Sequence, residues 1–335
     1  MFLSRSYLIV IIALLGLLTV FQVVVLANDG AVRLTYSAGT DRYPDWSPDG
    51  SQLVFESDRS GNWDLFTMSS SGGAASQITA DTSYDARASW SPDGSQIAFE
   101  SDRSLDSGLA AYPVCDLFVM PATGGSATQI TTWPRYDERP DWSPDGTKLV
   151  FAADRTGEFN ALWSPGQDPL HPANLWSIPV TGEPATQLTT HTGYENDPVW
   201  SPDGTQIAFR ADYAGHVDIW VMPAAGGPAT QVTDDPANDE MPSWSPCGNY
   251  IAFESIHSGI SDIWVVPATG GAATRITSDL YWDFGPSWSP DGSQIAFFSN
   301  RTGNYDIYKI NVENAGIPPA ESTTWSHIKA GFSSE

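Results

Sequence analysis

Apolar and polar positions alternate along most of this chain, as expected of strands. In the stretch 41–79, "YPDWS" reads as a short first strand. The "SPDG" after it puts Ser47, Pro48 and Gly50 at the first, second and fourth places of a type I turn. "QLVFES" (52–57) predicts a second strand, "DRSGN" (58–62) a loop and "DLFTMS" (64–69) a third strand. "SSGGA" (70–74) predicts another turn and "SQIT" (76–79) a fourth strand. No segment beyond the amino-terminal leader carries a 3.6-residue period, so the expected class is all-β, built from four-stranded units.

The unit repeats. "WSPDG" stands at 46–50, 90–94, 142–146, 200–204 and 288–292, with "WSPCG" at 244–248. The spacings are 44, 52, 58, 44 and 44 residues, a period typical of propeller blades. Each copy follows a short tail: "RLT" (33–35), "QIT" (77–79), "QIT" (129–131), "QLT" (187–189), "QVT" (231–233) and "RIT" (275–277). The first tail precedes the first head, and the last head has no tail after it. The stretch "AVRLT" is therefore expected to supply the missing outer strand of the sixth unit, closing a ring and hiding an open sheet edge.

The second strands add a packing signal. Leu53, Ile97, Leu149, Ile207, Ile251 and Ile295 each have a Phe two residues on. Between them lies a small residue: Val54, Ala98, Val150, Ala208, Ala252 or Ala296. One face is bulky and the other small, yet both are apolar, which suits blades packed face to face around an axis better than a two-layer sandwich.

Residues 1–27 read differently. Arg5 precedes an apolar run from Tyr7 to Leu26, and "VLA" (25–27) offers small residues for a signal peptidase. The run is also long enough for a signal anchor, since ~20 apolar residues span a bilayer. Either way the remainder is expected outside the cytoplasm, because Arg5 stays inside. The membrane is then met only through this segment, if it is uncleaved. The expected division is leader 1–27, propeller 28–312 and tail 313–335. With 15 Lys plus Arg against 40 Asp plus Glu, the net charge is −25. That argues against nucleic acid, whose phosphates need basic surface. Aromatic residues make up 12% of the chain, which marks a packed domain and not a disordered acidic one.

The pattern "YDxxPxWSPDG…IAFxSxR…DIWxM…GG…QIT" resembles the propeller repeat of the TolB family over about 32–312. The resemblance implies a six-bladed, exported propeller that binds protein partners at one mouth. TolB proteins have an additional domain before the propeller, which this sequence is not expected to carry. Related propellers precede a hydrolase domain in the prolyl oligopeptidase family, but no G-x-S-x-G elbow occurs here. Others, the oligogalacturonate lyases, have seven blades and a histidine-bound metal at the mouth. The expectation is a monomeric, non-enzymatic binding protein, with a metal-dependent polysaccharide lyase as the alternative.

Candidate chemistry gathers at the inlet face, where loops enter each first strand and join the second to the third. Two insertions extend it, 8 residues in blade two and 14 in blade three. Phe159, Leu162, Trp163 and Leu170 in the longer insertion and Tyr112 in the shorter are candidate partner contacts. They could equally pack on the blade tops. An acid stands five residues before every motif Trp: Asp41, Asp85, Asp137, Glu195, Asp239 and Asp283. A ring of unpaired carboxylates at the channel mouth would be self-repelling. Arg59, Arg103, Arg155 and Arg301 are candidate partners, whereas blades four and five have Tyr213 and His257 at that place. Glu195 and Asp239, with Asp234, Asp235 and Glu240, are therefore candidate Ca²⁺ ligands. His171, His191, His216 and His257 also fall in inlet loops, without metal-ligand spacing. Cys115 and Cys247 belong to opposite blades and are expected to stay unpaired.

Overall fold

The computed structural model describes residues 29–103, 115–133, 136–155, 173–191, 193–213, 215–257 and 259–317. The leader, both insertions and the tail beyond 317 lie outside them.

Six antiparallel sheets of four strands each form a ring. Blade one takes Asp41–Trp46 innermost, then Gln52–Ser57, Asp64–Ser69 and Ser76–Gln77. The innermost strands of the next four blades are Asp85–Trp90, Asp137–Trp142, Glu195–Trp200 and Asp239–Trp244. Blade six has Asp283–Trp288, Gln294–Ser299 and Asp306–Asn311, and its outer strand is Val32–Arg33 from the far end of the chain. Val32 pairs with Lys309 and Arg33 with Tyr308. The ring is closed by its amino-terminal strand, as the displaced tail predicts.

The bulky and small faces of the second strands explain the packing. Six apolar clusters sit between neighbouring blades, and each joins a small residue of one second strand to the bulky pair of the next. Ala252 meets Ile295 and Phe297, Ala296 meets Leu53 and Phe55, and Val54 meets Ile97 and Phe99. All six phenylalanines of this register are fully buried. A larger residue on the small side would collide with the aromatic ring of the adjacent blade.

The tails have a second function beyond strand pairing. The third strand of each blade opens on Asp64, Asp116, Asn174, Asp218, Asp262 or Asp306. The tail's Gln or Arg bonds that residue: Gln77 Nε2 to Asp64 at 3.0 Å, Arg275 to Asp262 at 2.7 Å, Arg33 to Asp306 at 2.8 Å. The tail threonine accepts the amide after it, as Thr79 does from Leu65 at 2.9 Å. The first tail reproduces this tie in blade six.

Candidate functional site

The inlet-face acids are the first residues of the innermost strands, and all six have no solvent exposure. Four are paired within their own blade: Asp41 with Arg59 at 2.7 Å, Asp85 with Arg103 at 2.7 Å, Asp137 with Arg155 at 2.9 Å and Asp283 with Arg301 at 2.9 Å. Burial lifts the Asp137 carboxyl to about 6 and the Asp283 carboxyl to about 7, against the pull of their arginines. In blade four, Glu195 accepts from Tyr213, Thr189 and Asn174, and burial raises it to about 7. In blade five, Asp239 has no arginine, and among the described residues neither of its oxygens accepts a well-formed hydrogen bond, although the Ser255 and Thr233 hydroxyls lie beside it.

The acids expected to gather around Asp239 divide. Glu240 pairs instead with Arg210, which also holds Asp197. Asp234 is exposed, while Asp235 lies 3.4 Å from His257 Nε2. Among the described residues, two groups of three His, Cys, Asp or Glu bring ligand atoms within 4.8 Å of one another: Asp235–Asp239–His257 and Asp29–Asp279–Asp283. Neither holds two histidines. His191 stacks on Tyr213 and His216 lies beside Asp218, each against its own surroundings. Phe159, Leu162, Trp163, Leu170, Tyr112 and His171 fall outside the described residues. Cys115 is buried and Cys247 partly so, and both are free thiols.

The channel contains features that the repeat pattern did not reveal. Each innermost strand shifts register after its second residue, and the bulge twists the backbone there. Tyr43, Arg87, Arg139, Asp197 and Met241 take positive φ at this point, between 50° and 56°. Non-glycine residues seldom adopt this conformation, and it clusters at functional sites. The sixth position is Gly285, φ 57°, where a Cβ would come within 2.9 Å of the Phe298 ring.

These six residues form a charged belt across the channel. The Arg87 guanidinium lies 3.3 Å from the centre of the Tyr43 ring and reaches over the axis to Met241 Sδ at 4.0 Å. Arg139 and Arg210 both pair with Asp197. Glu56, Glu100 and Glu254 accept the belt amides of Arg87, Arg139 and Gly285. Burial, then repulsion from Glu138 and Glu240 respectively, pushes Glu100 and Glu254 up to about 7.

Above the belt, on the face of the "SPDG" turns, the channel widens into a cavity of about 330 Å³. Its wall repeats one short segment from every blade, carrying Trp46, Trp90, Trp142, Trp200, Trp244 and Trp288, with prolines at the rim. The wall has three-fold character. Trp46, Trp142 and Trp244 donate their indole N–H to carbonyls of the preceding blade, at 3.1–3.3 Å. Those of Trp90, Trp200 and Trp288 have no acceptor among the described residues. Asp45 accepts the Trp90 amide and the Ser287 hydroxyl, and Asp141 accepts the Trp200 amide and the Ser89 hydroxyl. Removal from water lifts Asp45 to about 6 and Asp141 to about 7.

The TolB beta propeller domain family matches residues 6–111 and 232–333, more than half of the sequence. The chain belongs to the TolB-type β-propeller family. Residues 171–261 also match the Tricorn protease N-terminal beta propeller domain. Among solved structures, a putative TolB from Agrobacterium tumefaciens is similar with a TM-score of 0.63 and 23% identity, over 82% of this chain and 91% of that one. TolB from Acinetobacter baumannii gives 0.58 and 17%, over 85% and 64%. An oligogalacturonate lyase in complex with manganese gives 0.58 and 16%, over 84% and 92%. At these identities the likeness is one of fold. A curated relative, the uncharacterized peptidase YuxL of Bacillus subtilis, is 25% identical over 205 residues. That match takes in 54% of the TolB-type chain and 23% of the relative's length.

Proposed function

We propose that this TolB-type propeller is an exported, non-enzymatic binding protein that takes a protruding segment of a protein partner into the turn-face funnel. The observation that carries this reading is the funnel itself, a mostly apolar cup of Trp and Pro with a charged floor. Preformed concave sites with convergent polar groups are the ordinary form of a binding site. The funnel suits an apolar or aromatic side chain on an extended segment, with its polar end against Arg87 and the other charges of the belt. Tryptophan and arginine are also the residues that most often dominate binding energy. Export rests on the apolar leader and on family membership. The two inlet insertions that carry the expected partner contacts lie outside the described residues.

A photo-cross-linking residue placed at Pro202, on the funnel rim, tests this reading in envelope extract. The expected result is one dominant adduct that is lost when the cross-linker is moved to the exposed Gln77 on an outer strand. Equal adducts from both positions would overturn it.

A further inference from the structure

The structure assigns a divalent metal site of the zinc class to Asp235, Asp239 and His257 on blade five. In blades two and six an acid pair four residues apart holds one guanidinium: Arg103 reaches Asp81 at 3.3 Å and Asp85 at 2.7 Å, and Arg301 reaches both Asp279 and Asp283 at 2.9 Å. The same arginine donates its Nε–H to the serine that ends the second strand, Ser101 or Ser299, at 3.0 Å. One positive side chain thus serves two carboxylates and a hydroxyl.

Blade five keeps every part of this arrangement except the arginine. Asp235 and Asp239 have the same spacing, Ser255 stands opposite Asp239, and His257 takes the arginine's place in sequence. The shorter imidazole lies 3.4 Å from Asp235 and makes no hydrogen bond to Asp239. Asp239 is fully buried and, among the described residues, no cation reaches it; the Ser255 and Thr233 hydroxyls are its polar neighbours, and neither makes a well-formed hydrogen bond to it. A buried carboxylate without a partner is costly, and each blade with an arginine here avoids that cost. Asp218 adds further negative charge close by.

The ligand atoms of Asp235, Asp239 and His257 lie within 4.8 Å of one another. Asp239 forms the buried side of the group, with Asp235 and His257 toward solvent. Of the two acid groups of this kind among the described residues, Asp29–Asp279–Asp283 is served by Arg301, and only the blade-five group has a nitrogen ligand. Two carboxylates, one imidazole and a fourth place for water suit Zn²⁺ and its first-row neighbours. Calcium prefers six to eight oxygens, which this set does not supply.

The test is the melting temperature and metal titration of the untagged chain at pH 7.5, with Zn²⁺, with Ca²⁺ and with EDTA. One Zn²⁺ should bind per chain and raise the melting temperature above the EDTA control, with Ca²⁺ ineffective at equal concentration. Asp239→Asn should weaken Zn²⁺ binding by about tenfold or more. His257→Arg restores the arrangement of blades two and six. It should fold, melt in EDTA above the parent chain and lose the Zn²⁺ response. No Zn²⁺-dependent shift in the parent chain, an equal shift with Ca²⁺, or a Zn²⁺ response that survives His257→Arg would each overturn the assignment.

Discussion

The hydroxyl of Thr35, near the start of the described chain, accepts the backbone amide of Ile307 at 2.9 Å, near its end. It reproduces the bond between Leu65 and Thr79 within blade one, also 2.9 Å. The ring is thus closed by a tail that makes the same contacts as the tails joined covalently to their own blades. Thr35→Ala leaves the buried Ile307 amide without its acceptor and should cost about 1–3 kcal/mol in urea unfolding. Removing residues 28–36 should cost more and expose the edge of the Asp306–Asn311 strand, with aggregation on heating. A truncated chain that melts with the parent would contradict closure through this strand.

Interblade packing predicts a contrast between a second-strand position that faces the next blade and one at the turn-side end of the strand. Ala252 lies against Ile295 and Phe297 of the next blade, with no exposure. Ala252→Leu should destabilise by about 1–3 kcal/mol through overpacking. Gln294 begins the neighbouring second strand at the turn face and is only partly buried. Gln294→Leu should stay within about 0.5 kcal/mol of the parent. Chemical denaturation of both variants checks the contrast.

Asp141 gives a pH signature. Burial holds its carboxyl at about 7, above the ordinary 3.8, with Asp45 adding repulsion and the Trp200 amide opposing. The folded protein therefore binds this proton more tightly than the unfolded chain does. Its contribution to stability is fully present below pH ~4, falls as pH rises through the window and is gone above ~7. Asp141→Asn cannot ionise and still accepts from Trp200. Relative to the parent chain it should gain about 1–2 kcal/mol between pH 4.5 and pH 8, less than the full shift implies because Asp141 keeps partial exposure. A constant difference across that range would show that the group does not titrate there.

The two cysteines should differ in the native protein. Cys115 is buried, and burial raises its thiol well above the ordinary range, with Glu100 and Asp102 adding to the shift. Cys247 is partly exposed in its turn. A thiol reagent at pH 7.5 should label Cys247 first and Cys115 only on unfolding. Denatured, unreduced protein should show both thiols; finding neither would mean that they are bridged.

Much of the fold could be read in advance because its determinants repeat. A blade buried on both faces needs a bulky and a small apolar side at the same register, so Leu53–Val54–Phe55 recurs once as Leu149–Val150–Phe151 and four times as Ile–Ala–Phe. The role of Gln77 was missed although its signal was present: a polar residue two places before a repeated threonine, facing an acid at the start of the third strand. The belt gave no such signal. Its six residues are Tyr43, Arg87, Arg139, Asp197, Met241 and Gly285, and only their backbone position repeats. Arg87 meets Met241 across the axis, between opposite blades, which no comparison of neighbouring repeats brings together. His257 was legible as a departure from the arginine of the other blades, but its pairing with Asp235 depends on the short reach of an imidazole.

The funnel is proposed to hold the partner. The direct measurement is the dissociation constant of the cross-linked partner, once purified, for the parent chain and for Pro48→Arg and Pro202→Arg on opposite sides of the rim. Each arginine projects a charge into an apolar cup, so affinity should fall by about tenfold or more with the melting temperature unchanged. Unchanged affinity in both variants, with affinity lost instead in Trp163→Ala of the inlet insertion, would contradict the account.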